Sequence, residues 1–279
     1  MSIDLTSILR EWPYEGGQIN VRLIQGDDGE PKIQMRLDLG ILQMDLTGRP
    51  DGQRPHGYES LLEFYETRID HGEAGSATAE SESQSAGEAG AVADEEAAES
   101  ADALESAPDA VTLSEEDCRL LREEAVQYYH RYISLLVLGD YDGVLRDTAR
   151  NLRVLDLCAQ YAESDEDRAI LEQFRTYITM MRVRALASQM VVDNEPKAAL
   201  FAIDDGIELI RRHYDDSGRA AEFDDASEVQ LLRGMRDELA LKLPASQKNE
   251  LRERLRRAIE AENYELAAIL RDELRMLKE

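Results

Sequence analysis

The sequence predicts an α+β chain: a small N-terminal antiparallel sheet with a helix, an acidic disordered linker, and an all-α bundle or short stack of helical pairs. That bundle ends in a two-helix hairpin. Three observations carry this prediction. Apolar residues alternate with polar ones through the first part of the chain, which is strand periodicity. From Ser114 onward they recur every three or four residues, which is helix periodicity. Between Asp70 and Thr112 both patterns vanish, and no Lys or Arg occurs between Arg68 and Arg119.

Taken in order, Ser7 to Trp12 suits a short helix stopped by Pro13. Ile19, Val21 and Leu23 predict one strand, and Ile33, Met35 and Leu37 a second. Asp27-Asp28-Gly29-Glu30 between them is a turn signal, so the two should pair antiparallel. Ile41, Met44 and Leu46 predict a third strand after the break at Gly40. A helix over Tyr58–Ile69 places Leu61, Leu62, Tyr65 and Ile69 on one face and is expected to cover the sheet. The segment from 72 to 112 is rich in Ala, Glu, Ser, Asp and Gly and lacks aromatics. Such a composition cannot bury enough apolar surface to offset its ordering entropy, so a disordered tether is expected.

Five helical stripes follow. They are Leu121-Ala125-Tyr128-Tyr132-Leu136, then Leu145-Thr148-Leu152-Leu155-Ala159, then Ile170-Phe174-Tyr177-Met181-Ala185. The fourth runs Ala199-Ile203-Ile207-Ile210-Tyr214, and the fifth Val229-Leu232-Met235-Leu239, ending before Pro244. Gly139-Asp140, Ser164-Asp165 and Asp193 to Pro196 are the breaks, with Pro196 at a first helical position. Leu138-Gly139-Asp140-Tyr141 resembles the Leu-Gly-x-x-Tyr corner of tetratricopeptide repeats, but it is one residue short, so a repeat array is not expected. The predicted divisions are residues 1–71, 72–112, 113–245 and 246–279.

A formal net charge of −27 over 279 residues opposes direct nucleic-acid binding, which needs Lys and Arg gathered on one face. It disfavours anionic membrane surfaces for the same reason, and no stretch is apolar and long enough to cross a bilayer. The first residues show no basic region followed by an apolar one, so a cytoplasmic location is expected. Cys118 and Cys158, the only cysteines, sit in helical patterns and read as small apolar residues in a reducing compartment. No phosphate loop and no Cys-x-x-Cys pair occurs.

The last stretch is the most specific. Leu251, Leu255 and Ile259 recur at helical spacing, as do Ala267, Leu270, Leu274 and Leu277. Glu262-Asn263-Tyr264 interrupts them, Asn tolerating the left-handed conformation that ends a helix. The small Ala267 and Ala268 allow close approach of the two helices, and Tyr264 at the corner is expected to cap their core. A hairpin this small buries too little to be secure alone and should dock on something. The run Glu262-Asn263-Tyr264-Glu265-x-Ala267-Ala268-x-Leu270-Arg271-Asp272-x-Leu274 resembles the UVR motif, the helical hairpin shared by the bacterial excision-repair proteins UvrB and UvrC. In that family the hairpin is a protein–protein contact device, and it also occurs in stress-kinase regulators and Clp-type chaperones. The resemblance implies a coiled-coil-like contact with a protein partner, a second copy of the chain included. The residues expected to carry it are Leu255, Ile259, Tyr264, Ala267, Leu270, Arg271, Asp272 and Leu274.

The rival site is the loop Gly48 to Gly57, where Arg49, Asp51, Arg54 and His56 sit in a Gly/Pro frame that could present cations to a phosphate or carboxylate. No nucleophile–base pair accompanies it, so a rigid strand-to-helix connection is the favoured reading. His130 and His213 read as core or rim histidines, and Met180, Met181 and Met190 as gap-fillers. The expectation is therefore a non-enzymatic adaptor with no cofactor and no metal, serving repair or protein quality control. The alternative is a small-ligand or enzymatic N-terminal domain using the Arg49–His56 loop.

Overall fold

The computed structural model describes residues 4–71, 112–242, 247–261 and 263–276. The chain forms two compact units, Met1–Gln189 and Met190–Glu279.

The first unit opens with the short helix α1 (Thr6–Glu11). Strands β1 (Asn20–Gln25), β2 (Pro31–Arg36) and β3 (Ile41–Asp45) follow in a three-stranded antiparallel meander. Val21 faces Met35, and Ile33 faces Met44, so one sheet face is the apolar one. The first turn closes where the alternation stops: Gly29, with φ of 81°, donates to the Gly26 carbonyl, and Asp28 Oδ1 accepts from the Glu30 amide. Ile33, Met35 and Met44 are buried, and the first long helix of the bundle lies against β1 and β2.

That helix is α3 (Glu115–Leu138), antiparallel to α4 (Tyr141–Tyr161); between the sheet and α3 comes α2, helical over 61–71. Ser114 starts α3 with a reciprocal capping box to Asp117, a device that contributes about 1 kcal/mol. Gly139, left-handed at φ 77°, ends it, and the next residue, Asp140, caps α4. This is the corner that resembled a tetratricopeptide turn; here it joins one helical pair. The chain enters α3 through Leu113, which bridges to Ala162 at the far end of α4.

Two expectations change. Helix α2 packs Leu61, Leu62, Tyr65 and Ile69 into one core with Cys118 and Leu121 of α3 and Val154, Leu155 and Cys158 of α4. It was expected to cover the sheet, but its partners are the bundle helices. The first segment and the first helices thus share a core, where the composition break suggested separate bodies. The predicted linker itself lies outside the described residues except at its end, Thr112. The third stripe is also interrupted. Helix α5 (Asp165–Ile170) stops, a short 3-10 turn (Glu172–Phe174) follows, and α6 (Arg175–Val192) starts anew. The break turns Leu171 into the core while Ile170 and Phe174 stay exposed.

In the second unit, α7 (Pro196–Asp216) and α8 (Ser227–Lys242) pair. They bury Ala199, Ile203, Ile210 and Tyr214 against Phe223, Val229, Leu232 and Leu239. Then α9 (Gln247–Glu260) and α10 (Tyr264–Met276) form the terminal hairpin.

Candidate functional site

The hairpin is built around few apolar atoms. Ala258 from α9 and Ala267 and Leu270 from α10 are its buried residues, with Leu255 and Leu274 partly buried against them. Small side chains on both helices allow that close approach. At the corner, Asn263 serves the second helix: its Oδ1 accepts from the Leu266 amide at 3.1 Å, an N-cap bond, and its own amide donates to the Ala258 carbonyl at 2.8 Å.

The structure divides the predicted contact residues. Leu255, Ala267, Leu270 and Leu274 belong to the hairpin's own core, whereas Ile259, Tyr264, Arg271 and Asp272 are exposed. Tyr264 does not cap the core; as the first residue of α10 it is 69% exposed. Ile259 leaves the buried stripe because Ala258, three residues after Leu255, takes the inward position. Arg271 and Asp272 pair with each other at 3.0 Å, not across the hairpin. Leu266 and Ile269, absent from the prediction, are also exposed on α10, on a different side of the helix from Tyr264. Leu277 lies outside the described residues.

One comparison decides what this hairpin is. Residues 245–279 match the family model of the UvrB/uvrC motif, UVR. The UVR match covers both helices and the corner, the segment where the sequence resemblance lay. No curated protein and no solved structure matched the chain. The UVR match is thus confined to the terminal hairpin. Its α9 surface is ion-paired: Arg256 bridges Glu253 and Glu260, each at 2.6 Å. Such exposed pairs contribute little; Ile259 of α9 and Tyr264, Leu266 and Ile269 of α10 are the hairpin's exposed large apolar side chains among the described residues.

The rival loop has a different fate. Asp45 donates its amide to the Pro50 carbonyl, and Gly52, at φ 73°, donates to that of Arg49, so the loop folds back on the end of β3. Arg49 reaches Glu124 of α3, its Nε 3.1 Å from Oε1 though not aligned for a hydrogen bond. Asp51 accepts from Gln127 of α3 at 3.2 Å and from the Gln53 amide at 2.9 Å. Arg54 is exposed near Glu59. His56 adopts φ 50° and stacks on Phe64 at 4.2 Å. The four residues do not converge on one point; the loop is a docking segment on α3.

Sequence reasoning missed what it docks on. Glu124, Arg131, Asp147, Arg150 and Asn151 are buried between α3 and α4. Arg131 binds Asp147 with two hydrogen bonds, 2.7 and 2.9 Å, and donates to the carbonyls of Asp45 and Gly48. Arg150 binds Glu124, which also accepts from the Leu61 amide at the start of α2. Tyr128 lies under both guanidiniums, 4.8 Å from Arg131 and 4.1 Å from Arg150. Burial and the neighbouring Arg153 and Arg49 pull the Arg150 guanidinium down to about 9, which still leaves it cationic at neutral pH. The signal in the sequence was positional: Glu124 and Arg131 lie beside stripe positions 125, 128 and 132, inside the width of a buried helix face.

Burial disfavours the thiolate form of both cysteines. Cys118 and Cys158 are buried together, and burial pushes the Cys158 thiol up to about 12. Among the described residues no group of three or more His, Cys, Asp or Glu is placed to hold a metal ion, and no helix is long and apolar enough to cross a membrane.

Proposed function

We propose that this chain is a non-enzymatic adaptor whose UVR hairpin docks on a helical surface of a protein partner. The observation that carries the reading is the hairpin's imbalance. Among its described residues, it buries Ala258, Ala267 and Leu270 and leaves Ile259, Tyr264, Leu266 and Ile269 in solvent, in a segment that matches a motif of repair and protein-quality-control proteins. A two-helix unit with so small a core gains most of its order from what it docks on. Repair or protein quality control is the proposed setting. The net charge of −27 makes recruitment to nucleic acid indirect, through that partner.

Tyr264 is the proposed anchor, since a large aromatic freed from the core carries a disproportionate share of binding energy. Truncating it to Ala should weaken capture of the partner by about 2 kcal/mol, with circular dichroism unchanged. The test is a quantitative pull-down with the full chain, a chain ending at Ala245, and Tyr264→Ala. The reading expects one partner lost from both variants. Equal capture by all three would make the hairpin a packed tail with no docking role.

A further inference from the structure

A cleft of about 350 Å³ opens beside the buried charge network of the first unit. Its walls come from α2, α3, α4 and Gly48 of the loop after β3. In a chain with so large a negative charge, the cleft is lined by four arginines, Arg131, Arg146, Arg150 and Arg153, against three carboxylates, Asp147, Glu59 and Glu63. Those carboxylates are not equivalent. Asp147 is fully buried and already accepts from Arg131 and Arg146. Glu59 and Glu63 come from the start of α2.

The arginines differ too. Arg131 has its fork committed to Asp147 and two backbone carbonyls. Arg150 is over nine-tenths buried, gives its terminal nitrogens to Glu124 and Asn151, and keeps an Nε with no hydrogen-bond partner among the described residues. A buried donor left unmet is destabilising, so its retention here is an unbalanced feature. Arg146 and Arg153 are about half exposed, at 44% and 54%, so their cationic heads reach solvent from the cleft rim. Arg146 also donates to Asp147 and the Leu46 carbonyl and Arg153 to Glu66, which leaves each fork only partly open to a ligand.

We infer that this cleft binds a small oxyanion, a phosphate group or a carboxylate, held by Arg146, Arg150 and Arg153 over the floor made by Tyr128. Guanidinium forks match the geometry of both oxyanions. The volume lies at the small end of ligand pockets, which suits a metabolite-sized molecule and not a polymer. The chain's overall field repels an extended polyanion, but a small anion among arginines in a shielded cleft feels mainly the near charges. This inference is independent of the hairpin reading, and it differs from the Arg49–His56 loop, whose Arg49 is turned to Glu124.

The experiment is calorimetric titration of the full chain with inorganic phosphate and, separately, with succinate, in a buffer without other oxyanions. Saturable single-site binding of either is expected; phosphate alone would assign a phosphate group, succinate alone a carboxylate. Two variants give opposite signs. Arg153→Gln, which removes a half-exposed cation paired only to Glu66, should weaken binding about tenfold. Glu63→Gln, which removes a competing carboxylate, should strengthen it. A merely structural arginine cluster would produce neither change. No saturable heat with either anion up to about 10 mM, weaker than any useful site, would overturn the inference. So would saturable binding that is unmoved by Arg153→Gln and Glu63→Gln. If Arg153→Gln fails to fold by circular dichroism, Glu63→Gln decides alone.

Discussion

Glu124→Gln is the sharpest test of the buried network. Glu124 is fully buried, accepts from the Leu61 amide at 2.9 Å and from the Arg150 guanidinium, and stands 3.1 Å from Arg49 Nε as an ion pair without a hydrogen bond. Glutamine keeps the shape and can still accept from the Leu61 amide, a bond contributing about 1 kcal/mol. It cannot neutralise Arg150, which then stands buried near Arg49 and Arg153 with no carboxylate in direct contact, only Glu63 and Glu66 acting on it from further away. Removing one partner of a buried ion pair costs about 3–5 kcal/mol because the other charge is left uncompensated. Against a typical total stability of roughly 5–15 kcal/mol, that is a large share. The assay is urea unfolding followed by the fluorescence of Trp12, the chain's single tryptophan, which packs under Arg22 at 4.2 Å in the first unit. The chain has two compact units, so a probe local to one keeps the transition interpretable. A loss below about 1 kcal/mol would refute the reasoning, since it would mean that water or rearrangement already screens the pair.

Cleaving the chain anywhere in 72–111 should leave fragments that co-elute under native conditions, because Leu61, Leu62, Tyr65 and Ile69 are buried with Leu121, Val154 and Leu155; separate elution of the two fragments would contradict that shared core. Burial holds the His130 imidazole below its ordinary 6.5, and its Nδ1 has no partner. The unfolded chain therefore takes up that proton first, and stability present above about pH 6.5 should decline as pH falls below it. His130→Phe should flatten the decline in urea titrations, and an unchanged slope would show that another group is responsible. At lower pH, Asp167 is held below its ordinary 3.8 by Arg122 and then Ser164. Its contribution is present above that value and lost beneath it, so Asp167→Asn should cost stability at pH 7 and nothing near pH 2, by thermal unfolding.

Much of the fold was legible because periodicity reports burial directly. Val21, Ile33, Met35 and Met44 alternate, and they mark the sheet face that the structure pairs. Ala199, Ile203, Ile210 and Tyr214 recur at helical spacing and are the buried side of α7. Periodicity says nothing about which faces meet, which is why α2 was aimed at the sheet. It is also silent where charges are buried: no stripe includes Glu124, Asp147 or Arg150, and only neutralisation by Arg and carboxylate partners across α3 and α4 makes their burial tolerable. In the hairpin, the corner and the Ala pair were visible, but Ala258 was passed over for the larger Ile259. A spacing of Leu255, Ala258 and then Ala267, Leu270, Leu274 follows an alternating three-and-four rhythm that points to the closer packing.

The short bridge between Leu113 and Ala162 has a consequence for how this chain tolerates change. The Leu113 amide donates to the Tyr161 carbonyl and its own carbonyl accepts from the Glu163 amide, so the returning chain is pinned at the foot of α4. Residues 72–111 therefore join two points of the same unit. Closing such a loop costs free energy that grows only with the logarithm of its length, about 0.6 kcal/mol for a doubling. Insertions, deletions or wholesale replacement there should leave the first unit almost as stable as before. The acidic insert can change its length and charge while the core that flanks it stays the same.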